Sequence, residues 1–257
     1  MKKLVFIILL FFCSRIFACD CITFTLSEYY QRADFIAIGK IVQVDSSEHN
    51  NTYRDVEIEI IHLYKGKKIT KLKLENHQKT LCSIYTPLNS TWLFYADTLP
   101  DGSLYLNACT RQSRIDQSPY YTTDSLLKEK IQASLKRELK VLDFLQQTNS
   151  SFPKHNGLFL SFNSGTRKKL IGFEEPAYNF SAFELVFNAE MKLDEIIILK
   201  SFENPQLADQ LKEQLKGVRL NSHSKITAEK KERRFLVLFF FYPPEKEYPG
   251  FVGQYFF

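Results

Sequence analysis

Residues 35–44 read FIAIGKIVQV, an apolar run that is rich in β-branched residues. Such a run, followed by the polar segment 45–52, predicts a strand that ends in a turn. Residues 53–63 then alternate valine and isoleucine with glutamate and histidine, which is typical of a strand with one buried face. Together the two segments predict a β-hairpin.

Shorter strand-like segments extend this hairpin. Strands are predicted at about residues 69–74, 92–96 and 103–106, and the Pro-Asp-Gly sequence at 100–102 is suited to a turn between the last two. Five or so short strands joined by tight turns favour a small barrel or a sandwich. The first half of the chain is therefore expected to be mostly β.

A long helix is predicted to follow these strands. Asp124 is placed to cap it, and leucines and isoleucines recur at spacings of three and four up to Leu145. We expect this apolar stripe to pack against the barrel, with partner binding as the alternative.

The chain restarts after residues 148–156 (TNSSFPKHN), which have the composition of a linker. Strands on either side of one helix predict a small α+β domain in which the helix covers an antiparallel sheet. These strands are expected at 158–162, 180–188, 193–199 and 235–241, and the helix at 206–216. The expected organisation is a leader at 1–18, a first domain at 19–147, a linker at 148–156 and a second domain at 157–257.

The first 18 residues are predicted to be a secretory signal peptide. Lys2 and Lys3 precede the unbroken apolar run 4–12, and a small residue, Ala18, ends the segment. The apolar run is too short to span a bilayer, and no later run is long enough. We therefore expect export, either secretion or delivery to the periplasm and cell envelope, without a transmembrane segment in the mature chain.

Composition and charge argue against several functional classes. The chain is 44% hydrophobic and 14% aromatic, which excludes a disordered protein. Its formal net charge is +5, and loss of the leader would leave 31 basic against 29 acidic residues, a balance that does not favour nucleic-acid binding. Nucleotide-binding glycine motifs, HExxH and GxSxG are absent from the sequence. We expect no enzyme activity, no cofactor and no nucleic-acid partner.

Cleavage after Ala18 would leave four cysteines: Cys19, Cys21, Cys82 and Cys109. An even set in an exported chain predicts two disulfides. A bond between Cys19 and Cys21 would strain the disulfide, so both remaining pairings tie the mature N-terminus to distant strands. Each closure contributes roughly 4 kcal/mol in the chain-entropy description. A pinned N-terminal cysteine offers its α-amine and carbonyl oxygen together to a metal ion.

Lipidation is the competing interpretation of Cys19. Residues 16–19 (IFAC) form a degenerate lipobox, and a lipid on Cys19 would consume its thiol and block its amine. The Cys-Asp-Cys doublet and the matching downstream pair favour disulfides instead.

The first domain resembles the tissue inhibitors of metalloproteinases and the wider netrin-like group over residues 19–147. This resemblance implies a five-stranded OB-type barrel with flanking helices, and the pairings Cys19–Cys82 and Cys21–Cys109. It rests on Cys19-Asp20-Cys21 directly after the leader, on ADFIAIGK at 33–40, on Tyr64-Lys65-Gly66, and on Cys82 and Cys109.

The resemblance also implies a partner-binding site at Cys19, Asp20 and Cys21. In that family the amine and carbonyl of the terminal cysteine bind the catalytic zinc of a target protease, and the next side chain enters the substrate pocket. Cys19 would then face a partner's zinc, and Asp20 would enter the pocket. The animal inhibitors carry a small hydroxyl residue there, and an unpaired carboxylate is costly to bury in an apolar pocket. Asp20 leaves open a target with a basic pocket, or no protease target at all.

The second domain resembles the TonB carboxy-terminal domain, through residues 183–188, 191–201, 207–216 and 235–241. This resemblance implies an α+β interaction module in the envelope of a diderm bacterium. Two functions are therefore expected as alternatives. One is an exported binding protein that inhibits a zinc metalloprotease through Cys19. The other is an envelope interaction or scaffold protein, lipid-anchored or not, with no protease target.

Overall fold

The computed structural model describes residues 21–45, 53–75, 84–116, 124–148, 152–155, 157–163, 165, 167–222 and 231–254. Within these residues the protein is mostly β, with a closed five-stranded barrel, three α-helices and a second, antiparallel sheet. The predicted leader at 1–18 and three of the predicted site residues, Cys19, Asp20 and Cys82, lie outside the described residues.

The barrel closes because its first strand pairs on both sides. The order around it is β1-β2-β3-β5-β4, and β4 returns to pair with β1. Neighbouring strands are antiparallel except β3 and β5, and β6 adds to β4 outside the ring. The predicted five-stranded barrel is thereby confirmed. The strands are β1 Phe35–Val44, β2 Tyr53–Lys65, β3 Lys71–Glu75, β4 Thr91–Thr98, β5 Leu104–Leu106 and β6 Gln112–Arg114.

Alternation along the strands fills the barrel. Register shifts between β1 and β2 mark irregularities of the kind that bend a strand, which suits a strand that must close a ring. Residues two apart point to the same face, so one set of side chains from each strand turns inward. The inward set is buried and comprises Phe35, Ala37, Ile41, Val56, Ile58, Leu72, Leu74, Ile84, Phe94, Ala96 and Leu106.

The helix α1 (Leu26–Arg32) is attached to the barrel at its C-terminal end. The amine of Lys65, at the end of β2, donates to the carbonyl oxygen of Tyr30 at 2.7 Å and lies 5.0 Å from the centre of its ring. A cation at a helix C-terminus is favourable because the last carbonyls lack intrahelical partners. Burial lowers the pKa of Lys65 to about 8.

The long helix α2 (Ser125–Thr148) starts at the predicted cap, where Asp124 accepts a hydrogen bond from the backbone N–H of Leu126 at 2.9 Å. Its apolar stripe divides into two parts. Val141 and Leu142 are fully buried, whereas the Leu126 side chain near the start is 56% exposed. The predicted packing of this stripe therefore holds for the second half of the helix and fails for its beginning.

The rest of the described chain forms a four-stranded antiparallel sheet in the order β12-β11-β8-β9, with α3 on one face and a separate two-stranded β7–β10 pair. Leu207, Leu211 and Leu215 recur every four residues and put the apolar face of α3 on the sheet. This is the predicted α+β arrangement. The elements are β7 Leu158–Ser161, a 3-10 helix Arg167–Leu170, β8 Phe180–Phe187, β9 Leu193–Lys200, α3 Pro205–Leu215, β10 Arg219–Ser222, β11 Arg233–Tyr242 and β12 Phe251–Gly253.

The other face of this sheet shares a core with α2 and with the outside of the barrel. The predicted linker contributes to the junction: Lys154 forms ion pairs with Asp34 and Asp97 at 2.7 and 3.2 Å, and His155 contacts the backbone of β11. The domain boundaries at 147 and 157 stay a prediction. The shared core comprises Leu26, Tyr30, Ala33, Ile36, Leu93, Tyr95, Val141, Leu142, Leu145, Phe152, Phe180, Ala182, Leu236, Leu238 and Phe240.

Candidate functional site

The first described residues, 21–25, form a short segment outside helices and strands, which we call the N-terminal edge. One end is held by a disulfide between Cys21 and Cys109, whose Cα atoms are 5.2 Å apart. Cys109 lies in a turn after β5, where the side-chain oxygen of Asn107 accepts from the backbone N–H groups of Cys109 and Thr110, both at 2.9 Å. The disulfide implied by the family resemblance is therefore present in the structure.

The other end of the N-terminal edge is fixed by the start of α1. The Thr25 hydroxyl accepts from the backbone N–H of Glu28 at 3.3 Å, and the Glu28 carboxylate accepts from the backbone N–H of Thr25 at 2.7 Å. This is a reciprocal capping box, which the sequence Thr-x-x-Glu encodes. Thr25 is therefore the N-cap of α1, and the helix begins at Leu26.

Between these anchors the N-terminal edge projects into solvent. Ile22 is 74% exposed and Thr23 is exposed. Phe24 turns back onto α1, where its ring meets Tyr29 edge-on at 5.5 Å and lies 4.3 Å from the guanidinium of Arg32. An apolar side chain on backbone that is already ordered loses little entropy on binding. The N-terminal edge therefore suits contact with a partner.

A buried carboxylate lies behind this edge. Glu138 of α2 is only 1% exposed. The Nε and Nη2 atoms of Arg111 donate to its two oxygens at 2.6 and 2.7 Å, which is a bidentate ion pair. The Tyr95 hydroxyl donates to the same carboxylate at 2.7 Å. These hydrogen bonds compensate the burial of a charge that would otherwise be strongly destabilising.

The protonation states within this network follow from burial and from Glu138. Burial, followed by the adjacent carboxylate, holds the pKa of Tyr95 well above its usual value, so the hydroxyl keeps its proton and donates. Burial alone would lower the pKa of Arg111, but the charge and hydrogen bonds of Glu138 outweigh it and raise that pKa. Both pKa shifts keep the donors of this network protonated: the guanidinium of Arg111 stays charged and the hydroxyl of Tyr95 stays neutral.

A second surface feature borders this ion pair, since Arg111 and Glu138 both line it. A groove of about 1160 Å³ runs between the first half of α2, strand β6 and residues 243–251, and we call it the α2 groove. Ion pairs flank it, Arg114 with Asp116 at 2.7 Å and Lys130 with Glu245 at 2.9 Å. It collects exposed apolar side chains from separate parts of the chain: Tyr85, Leu126, Leu127, Tyr178, Tyr248 and Phe251.

Of the predicted site residues, the structure brings Cys21 and Cys109 together, while Cys19, Asp20 and Cys82 lie outside the described residues. The network of Arg111, Glu138 and Tyr95 was missed. One signal for it exists in the sequence, because Glu138 stands three residues after Leu135 and four before Leu142. A carboxylate in the middle of an apolar stripe indicates a buried charge that needs a partner.

Comparison with protein-family models and with curated proteins finds no significant match for this chain. Among the described residues, no group of three His, Cys, Asp or Glu side chains is arranged to hold a metal ion. Over the same part of the chain, no helix is both long and apolar enough to cross a membrane.

Proposed function

We propose that this protein is an exported, disulfide-bonded binding protein whose mature N-terminus contacts a zinc metalloprotease. The observation that carries the proposal is the anchoring of residues 21–25 by the Cys21–Cys109 disulfide and the Thr25 cap. Cys19 stands two residues before Cys21 in the sequence, so the residue proposed to bind zinc directly precedes the anchored segment. A free α-amine and carbonyl oxygen on Cys19 would be presented to a partner's zinc from an ordered support.

The barrel supports the same proposal at the level of the fold. We propose that it is of the OB type expected for a netrin-like domain. The closed order β1-β2-β3-β5-β4, the parallel pairing of β3 with β5 and the flanking helices support this assignment. The Asp20 carboxylate makes a protease with a basic substrate pocket the favoured target, because a cation there would pair with the carboxylate as it leaves water.

Adding one alanine before Cys19 is expected to abolish inhibition of the target protease. The extension converts the α-amine into an amide, which cannot bind zinc, and moves the new amine away from the Cys19 carbonyl. Cleavage of a fluorogenic peptide by a panel of zinc metalloproteases, including enzymes that prefer acidic substrate side chains, measures the effect. We expect a loss of about 100-fold or more in affinity, a difference that such an assay resolves easily.

The matched control is the chain with its mature N-terminus verified by mass and its α-amine free. Equal inhibition by the extended and unextended chains would exclude zinc binding by Cys19. No inhibition of any protease by the unextended chain would favour the second candidate.

That second candidate is an envelope interaction protein that binds the apolar face of a partner helix in the α2 groove. Several observations favour this occupant. The apolar stripe of α2 continues from the buried core into the groove, so a further helix can pack along it. The lining includes four prolines, which have no backbone N–H to donate: Pro87, Pro243, Pro244 and Pro249. This suits a partner helix, because its backbone N–H and C=O groups already form hydrogen bonds within the helix. The charged side chains that flank the groove already form ion pairs with each other.

The single tryptophan of the chain, Trp92, lines this groove and reports its occupancy. A synthetic amphipathic helix of about 14 residues, roughly four turns, with leucines on one face should shift its emission saturably. We expect the Leu126→Gln, Leu127→Gln variant to lose the response. Ile198→Gln, at a similarly exposed position on β9, should keep it. A response that survives in the double variant, or that a scrambled peptide reproduces, would contradict this candidate.

A further inference from the structure

We propose that Arg111 and Glu138 are positioning residues for the N-terminal edge, and that their ion pair fixes the edge against the long helix α2. The effect of this ion pair on partner binding rests on the function proposed above. The geometry that carries it involves only described residues of this chain.

The first connection runs through the disulfide. Arg111 follows the turn that holds Cys109, and Cys109 is bonded to Cys21 at the start of the edge. The backbone carbonyl of Arg111 accepts from the N–H of Tyr95 at 3.1 Å, and its guanidinium binds both oxygens of Glu138. Both ends of Arg111 are therefore fixed. The turn carrying Cys109 cannot shift unless one of these contacts breaks.

The second connection runs through α1. The Arg111 guanidinium also lies 5.6 Å from the centre of the Tyr29 ring. Tyr29 in turn packs edge-on against Phe24, which belongs to the edge itself. Arg111 is thus connected to both supports of residues 21–25, through its backbone to the turn of Cys109 and through its guanidinium to Tyr29, and a cation over an aromatic ring stabilises that arrangement.

Glu138 connects these contacts to the core. It is almost fully buried and lies less than one helical turn before Val141, which is fully buried where α2 meets the second sheet. A bidentate pair constrains orientation as well as distance, since two parallel hydrogen bonds fix the plane of the guanidinium. An exposed edge of five residues therefore takes its position from the middle of the fold.

Nitrogen-15 relaxation of the intact chain tests this inference without any partner. In the wild-type protein we expect backbone order parameters of about 0.85 for Ile22 and Thr23, and values below about 0.6 in Glu138→Gln. Amides of β11, such as those of Val237 and Leu238, should keep their values. Glu184→Gln is the matched control, because it removes a carboxylate that pairs with Arg234 at 2.9 Å in the second sheet, and it should leave Ile22 and Thr23 unchanged.

Two outcomes would overturn the inference. One is that the order parameters of Ile22 and Thr23 in the Glu138→Gln variant equal those in the wild-type protein. The other is an equal loss of order at the edge and in β11, since that would assign the pair a general structural role. If Glu138→Gln does not fold, Tyr95→Phe removes one hydrogen bond to the same carboxylate and is judged by the same criteria. Loosening of the edge in these variants, combined with no protease inhibition by the wild-type chain, would refute the proposed function alone.

Discussion

Replacing Arg111 with alanine is expected to lower the free energy of unfolding by about 3–5 kcal/mol, the usual range when a buried charge loses its partner. The reason is that Glu138 remains 1% exposed in the folded state and keeps only the Tyr95 hydroxyl as a described donor to its side chain. Urea unfolding, followed by the fluorescence of Trp92, measures the loss. Lys130→Ala is the matched control: both side chains of its ion pair with Glu245 are exposed, so we expect a much smaller loss.

A double variant separates the effect of the lost charge on stability from the effect of the lost packing. Arg111→Met combined with Glu138→Leu removes both charges and keeps similar side-chain volume, and replacing both partners of a buried pair by apolar residues is often neutral or stabilising. We therefore expect the double variant to be more stable than Arg111→Ala. If the double variant is the less stable of the two, the loss in Arg111→Ala comes from the shape of the side chains and not from an orphaned carboxylate.

The elements that could be predicted from the sequence are those with local signals. Strand β1 was predicted at its observed bounds, since most of its ten residues carry apolar side chains and many of these are β-branched. Helix α2 was predicted from the Asp124 cap and its leucine spacing, and α3 from Pro205 at its start. In each case the residues that determine the element lie within the element or directly beside it.

Strands β6 (QSR), β10 (RLNS) and β12 (FVG) were missed because they are short and carry fewer large apolar side chains than the equally short strands β5 (LYL) and β7 (LFLS), which were predicted. Each pairs with a strand from another part of the chain: β6 with β4, β10 with β7 and β12 with β11. Their backbone hydrogen bonds are satisfied by partners distant in sequence. Tertiary context therefore decides these strands, and no local pattern encodes them.

The candidate site likewise has parts that the sequence predicted and parts that it did not. The sequence alone narrowed the cysteine pairings to two, and the family resemblance selected the one that contains Cys21–Cys109. The partner of Glu138, by contrast, is 27 residues away on a different element, and no spacing rule connects Arg111 to α2. The α2 groove is also a product of assembly, since its lining comes from segments that are far apart in the sequence. The sequence shows only the stripe that forms one wall.

Removal of the Cys21–Cys109 disulfide by the double substitution Cys21→Ser, Cys109→Ser is expected to cost about 4 kcal/mol of stability. A sequence separation of 88 makes this a long closed loop, and the entropy that the crosslink removes from the unfolded chain grows with loop length. Removal of the crosslink acts mainly on the unfolded state, because the unfolded chain then expands and exposes more surface. We therefore expect urea unfolding to show a lower midpoint together with a steeper dependence on denaturant.

The same substitution has a second expected effect, on the N-terminal edge. Without the bond to Cys109, the contacts that still hold residues 21–25 within the described part of the chain are the Thr25 cap and the packing of Phe24, so we expect Ile22 to become mobile and inhibition of a target protease to be lost. Arg111→Ala, by contrast, destabilises the folded state and should lower the midpoint with little change in the slope. An unchanged midpoint and slope in the cysteine double variant would show that the disulfide restrains neither state. A lower midpoint with an unchanged slope would place its effect in the folded protein, through the position of the turn at 107–110.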